Sequence, residues 1–553
     1  MFPALMLTLL TSVDGGVPTL PLTASERAAE LKITAAEIAR HTRYLASDAL
    51  EGRAPASRGD RLTQQYLVRQ FKALGLQGGA PDGGYLQEVE LVGVTGNPDT
   101  VTLWLPDGGT HELRYREEFI AVAGEPRPES KLDGVELVFV GYGIEAPEFG
   151  WDDYKGQDLK GKVLLMMNSD PESDPALFAG KARLWYGRWD YKFEVAARKG
   201  AAGVVLIHTT PSAGYPWSVV QTSWSGEQFE LPGGTLPQCE VELWFNEETS
   251  RRVVGLAGLD LDSLWARAQS REFRPIPLGI KLSTAFANQV TRKKTANVIG
   301  RLPGSDPELA REGVIYTAHH DHLGKKAGAK RGEDAIYNGA VDNASGVAQL
   351  LTVARAFRAL KPAPGRSVYF AAVAAEEQGL LGSQFLAQNS PLPPGRWAAN
   401  INIDGANIWG KTRDVTVIGH GKSSLDGLIE KIAASQGRRV TPDQLPDRGF
   451  FYRSDQFNFA KLGVPAAYAE SGMDVIGRPT GWGKAQKETF EAAHYHQPSD
   501  AYSPRWDLSG AVQDSQLYFH LGRLVANTPA MPTWNPGDEF EHPRQEALRR
   551  LAR

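Results

Sequence analysis

Cysteine is almost absent from this sequence. Cys239 stands alone among 553 residues, so no disulfide can close within the chain, and a zinc site would have to be built from imidazole and carboxylate. Long apolar runs are missing as well: no stretch of about 20 apolar residues occurs, which excludes an ordinary membrane-spanning helix. The opening MFPALMLTLLTSV is apolar but too short to cross a bilayer. It reads as the apolar part of a secretion signal without the basic residues that precede one, and a packed N-terminus is the alternative. One-sided charge is lacking too. A net charge of -5 with no block of like charges leaves no electrostatic footprint for nucleic acid.

What is present is a globular composition, 42% hydrophobic and 23% charged, in a chain too long for one core. Domain size alone suggests two or three units of about 100 to 200 residues. Leu62, Tyr66, Leu67, Phe71 and Leu74 recur at helical spacing after the turn-like ASRGD, and YLQEVELVGV alternates like a strand. From about Gly134 the character changes to short strands broken by Gly and Pro, with a helix at YKFEVAARKGA, and this reads as a separate lobe to about Leu282. After it, apolar strands (VIYTAHHD, SVYFAAVAAEE, ANINIDG) alternate with helices. That alternation predicts a mostly parallel sheet covered on both faces, with functional groups at the C-terminal ends of its strands.

Five stretches, at such ends or in nearby loops, carry metal chemistry. In AHHDHLG, His319 follows an apolar strand and Asp321 stands two residues on, placed to anchor the imidazole of a metal ligand; His320 and His322 compete for the role. In GAVDNASG, Asp342, Asn343 and Ser345 would cap the helix that follows, whereas a carboxylate there also has the two oxygens needed to bridge two cations. Glu376 and Glu377 end a strongly apolar strand. Neighbouring side chains at a strand end point to opposite sides, which suits Glu377 as a metal ligand and Glu376 as general base. Asp404 in INIDGAN and His496 in HYHQPSD complete two imidazoles and three carboxylates, a nitrogen and oxygen set suited to zinc.

These five stretches, in this order, resemble the M28 family of zinc aminopeptidases. The resemblance implies an α/β fold, a phosphorylase/hydrolase-like mixed sheet sandwiched by helices, and two zinc ions per chain. His319 and Asp404 would hold one ion, Glu377 and His496 the other, with Asp342 bridging, Glu376 as base and Asp321 orienting His319. Tyr495 matches a phenol that several members use to stabilise the tetrahedral intermediate, and a cis peptide is implied between Asp342 and Asn343. FVGYGI, GKVLLMMN and KGAAGVVLIHT resemble a protease-associated (PA) domain, a β-rich insert free to contact substrate or protein partners. RSDQFNFAKLGVPAAY fits a segment near the substrate pocket, except that Gln456 stands where histidine is more often found.

The expected layout is a leader at 1–24, an N-terminal part of the peptidase domain at 25–133, the insert at 134–282, the catalytic domain at 283–530 and a C-terminal tail at 531–553. The expected activity is removal of N-terminal residues from peptides, in a secreted or periplasmic setting. A carboxypeptidase or other amide hydrolase on the same fold, and a non-catalytic receptor, are the alternatives.

Overall fold

The computed structural model describes residues 20–551 apart from 175–176, 179, 234–237 and 327. The leader expected at 1–24 therefore lies almost wholly outside the described residues.

One strand organises the molecule. Ile276–Leu302 runs for 27 residues through two sheets. Its first half alternates buried and exposed side chains, as a strand with one wet face does, while Thr295–Gly300 is buried on both faces. The second half pairs antiparallel with Leu86–Gly96 and with Ser367–Val373. Beyond it, Ser367–Val373, Gly313–His319, Trp397–Asn402 and Ala466–Ser471 lie side by side and parallel. Antiparallel pairing then returns between Ala466–Ser471 and Asp414–Ile418. Gly313–His319 and Ser367–Val373 are buried at every position, as strands between two helical layers must be. Helices Gly346–Ala359 and Ser509–Asn527 bury apolar side chains on one face of this sheet, and Leu386 and Phe459, from helices Leu381–Gln388 and Gln456–Ala460, bury on the other. The parallel strands between helices are what the alternating sequence predicts, and the mixed sheet is what the resemblance implies.

The first half of the long strand belongs to a second sheet, with its own apolar core. That sheet also holds Thr100–Trp104, Thr110–Arg114 and Phe119–Ala123. The boundary expected at 134 thus falls inside the strand Glu129–Phe139, three strands after the lobe has begun. The turns around the early strands, at 96–99, 106–109 and 124–128, carry Gly and Pro as those after Gly134 do, so composition alone does not place the boundary. The expected C-terminal tail contains a helix, Glu541–Leu551, whose buried Arg544 donates to the carbonyl of Trp397 at 3.0 Å.

Candidate metal centre

Three adjacent parallel strands deliver the centre. Gly313–His319 ends on His319; Asp404 follows Trp397–Asn402 by two residues; and the two glutamates follow Ser367–Val373 by three and four. The glutamates are not in the strand, so alternation along it does not separate them. Ala375 adopts a positive φ of 53° and turns the chain, and Asp321 fixes the turn by accepting the backbone N–H of Glu376 at 3.1 Å and of Glu377 at 3.3 Å. This revises the part expected of Asp321. Its carboxylate lies 3.8 Å from His319 Nδ1, too long for a hydrogen bond, and Nδ1 has no partner among the described residues. The chain runs straight from strand into turn there, and the backbone donors of residues 376 and 377 take the carboxylate instead.

All five expected ligands converge. His319 Nε2 lies 3.1 Å from Asp342 Oδ1 and 3.3 Å from Asp404 Oδ1. His496 Nε2 lies 3.2 Å from Asp342 Oδ2 and 3.0 Å from Glu377 Oε2. Asp342 therefore turns one oxygen to each imidazole. His319, Asp342 and Asp404 form one group able to hold a cation, and Asp342 and Glu377 belong to another with His322, whose Nδ1 contacts Glu377 Oε1. His320 points away, to Asp60 at 3.1 Å. Glu376 Oε2 stands 3.9 Å from His319 Nε2, at the rim of the cage.

The electrostatics call for a cation. Burial opposes a charge on His496, but Glu377 and Asp342 outweigh it and push its pKa up to about 10. His319 is raised well above the ordinary histidine range against its own burial, by Glu376, Asp404 and Asp342. A buried set with this excess of carboxylate is a nitrogen and oxygen cage that zinc fits. Burial, opposed by His319 and helped by Asp404 and Glu377, raises Glu376 well above the usual carboxylate range.

Around the cage lie residues that sequence reasoning missed. Ser223, at the end of the lobe helix Trp217–Ser223, sits 2.9 Å from His496 Nδ1. With a metal ion on Nε2, Nδ1 would carry the proton and donate to this hydroxyl. Asp500 accepts the backbone N–H of Val341 at 2.9 Å and of Asp342 at 3.1 Å, while Ser454 donates to Asp404 at 2.6 Å. Buried Arg53 ties the loops beside both His319 and Asp342, donating to the carbonyls of His320 and Gly339, each at 2.9 Å. Ser223 and His496 are 273 residues apart, and no local pattern could have paired them. Asn343 serves both readings of its stretch: its Oδ1 accepts from Gly346, at the start of the helix, and from Gly405, beside Asp404. The Asp342–Asn343 peptide is cis.

Tyr495 stacks on His496 with ring centroids 3.9 Å apart. Phe451 and Tyr452 are buried in a core cluster, whereas Phe450 is half-buried at the edge of a cavity beside the cage. Gln456 is structural, accepting from Asn402 at 2.9 Å and donating to the carbonyl of Phe451 at 2.6 Å.

The fold and the cage agree with the resemblance carried by the sequence motifs. Residues 297–520 match the model described as Peptidase family M28, and this segment of the chain is similar to that family. Among curated relatives, a "Probable zinc metalloprotease" of Pyricularia oryzae is 35% identical over 113 residues, 20% of this chain and 20% of that protein. "Leupeptin-inactivating enzyme 1" of Streptomyces exfoliatus is 24% identical over 250 residues, 44% of this chain and 51% of that one. The chain thus spans between a fifth and about half of these relatives' length. The solved "Aminopeptidase from Aneurinibacillus sp. strain AM-1" has the same fold, with a TM-score of 0.50 at 18% identity over 93% of this chain and 98% of that one.

Proposed function

We propose that this protein is a metal-dependent aminopeptidase that removes N-terminal residues from peptides, using two zinc ions. The observation that carries the reading is Asp342, whose two oxygens address His319 at 3.1 Å and His496 at 3.2 Å. A carboxylate that bridges two cations has that arrangement, which supports a paired-ion site. His319 and Asp404 would hold one, His496 and Glu377 the other.

Zinc bound there would supply Lewis acidity and a water acidified toward neutral pH. The chain's own residues do the rest. Glu376 stands at the rim of the cage, takes the proton of the attacking water and passes it to the leaving amine. Tyr495, its phenol kept protonated chiefly by burial, is an O–H donor for the oxyanion. Asp321 positions both glutamates through their backbone.

A cavity beside His319 and Glu376 is lined by the expected ligands Asp342 and Asp404, by Glu470, Glu491 and Asp514, which pair with Lys487, Arg448 and Arg438, and by Arg453. The preference for an aminopeptidase over a carboxypeptidase rests on the likeness to the solved aminopeptidase, whose fold this chain shares. The complete ligand set and base argue against a receptor that has lost its chemistry. The PA-like lobe, residues about 100–287, would then border the substrate site, and the apolar opening residues are the basis for a secreted or periplasmic location. Metal analysis after zinc loading and removal of excess tests the cage: about two ions per chain are expected, and one ion would overturn the bridging role of Asp342.

A further inference from the structure

Glu377 and Asp404 each turn one oxygen to the cage, Glu377 Oε2 to His496 and Asp404 Oδ1 to His319. Their outer oxygens have unlike partners. Asp404 Oδ2 accepts from the Ser454 hydroxyl at 2.6 Å, whereas Glu377 Oε1 faces His322 Nδ1 at 2.5 Å.

Spacing separates a group that binds an ion from one that holds a ligand. Two atoms bound to one zinc at about 2.0 to 2.2 Å stand roughly 3.3 Å apart in a tetrahedron. The contacts of His319 and His496 with the carboxylates, from 3.0 to 3.3 Å, have that spacing. The 2.5 Å contact of His322 is too short for two ligands of one ion and is a hydrogen bond. An ionised carboxylate can only accept, so Nδ1 is the donor.

The His322 side chain makes no other hydrogen bond among the described residues. It is buried, and its Nε2 has no partner. Such burial is costly, and the contact with Glu377 is the polar interaction that offsets it. The ring is also fixed in place. Gly339, at a positive φ of 53°, packs so closely on it that a Cβ would stand 2.5 Å from His322 Cγ. The His496 ring meets it edge-on with centroids 5.7 Å apart. Arg53 secures both sides of this fit, its carbonyl accepting the backbone N–H of His322 at 3.4 Å and its guanidinium donating to the carbonyl of Gly339.

We propose that His322 is a positioning residue for the ion of Glu377 and His496: it holds the outer oxygen of Glu377, so that the inner oxygen alone is presented to the cation. This rests on the two-zinc reading. The carboxylate of the other ion is held by a hydroxyl from another part of the chain, so His322 acts on one ion of the pair.

Zinc affinities of the full chain, read in competition with a chelator, test this apart from turnover. His322→Leu is expected to weaken one of the two ions about tenfold to a hundredfold. His322→Asn, whose amide nitrogen can stand where Nδ1 stands and donate to Glu377, is expected to keep most of that affinity. In a His496→Ala background, which leaves the ion of His319 and Asp404, adding His322→Leu is expected to change nothing; a role confined to packing would weaken that ion as well. Two ions bound by wild type and His322→Leu with the same affinities overturn the role and leave the paired-ion reading standing, while a single ion in the wild type overturns both. X-ray absorption on the zinc-loaded wild type decides the point even if no variant folds. About one imidazole per ion is expected, and three imidazoles shared by two ions would make His322 a ligand and overturn the positioning role.

Discussion

Asp342 and Glu376 divide the work of the centre between holding charge and moving a proton. Asp342 is acceptor to two imidazoles, whereas Glu376 makes no hydrogen bond to either and is the carboxylate left for the substrate side. Glu376→Gln is expected to keep its zinc and to lose about 100-fold to 10,000-fold in kcat, the usual share of a positioned general base. Metal analysis alongside steady-state kinetics checks it; near wild-type kcat would remove Glu376 from the role. His319, Glu377 and Asp404 were legible because each follows an apolar run that reads as a strand, whereas Asp342, before helix Gly346–Ala359, and His496, in the loop after helix Trp482–Ala493, took their meaning from the resemblance. The second partner of each ligand was not legible. Asp321 read as the support of His319 from a spacing of two, but the turn at Ala375 presents two backbone donors to it instead.

Among the elements, helix Trp217–Ser223 matters most for its size, since it carries a hydroxyl from the lobe to the outer nitrogen of His496. Ser223→Ala is expected to weaken zinc binding about tenfold in competition with a chelator, because such outer hydrogen bonds fix the tautomer and aim of a metal-bound imidazole. Unchanged affinity would make the contact incidental. The strands of the lobe hold a different kind of group. Burial, with Glu230 nearby, pushes the Glu242 carboxyl up to about 8 on strand Val241–Asn246. Since its folded pKa lies above the unfolded value, the folded state binds the extra proton, and stability falls as pH rises from about 4.5 to about 8. Glu242→Gln is therefore expected to raise the melting temperature at about pH 9 and to leave it nearly unchanged at about pH 4, as thermal scans at both would show. The element types of the core were legible from period and length. The early lobe strands were not, because Thr100–Arg114 reads like any polar hairpin until its partner, the first half of Ile276–Leu302, is known.

At the scale of the molecule, the strand Ile276–Leu302 joins the core that carries the cage to a lobe whose Arg188, Tyr215 and Ser223 line a cavity beside it. The cage and the groups that hold it come from residues as distant as Arg53, Ser223 and His496. The central claim is that this cage serves an aminopeptidase. Its most direct test is hydrolysis of aminoacyl anilides against their N-acetylated counterparts, before and after chelation and zinc restoration. The account predicts cleavage of the free-amine series alone, lost on chelation and returned by zinc. Cleavage of both series alike, survival of activity without metal, or no cleavage by the zinc-loaded chain would contradict it.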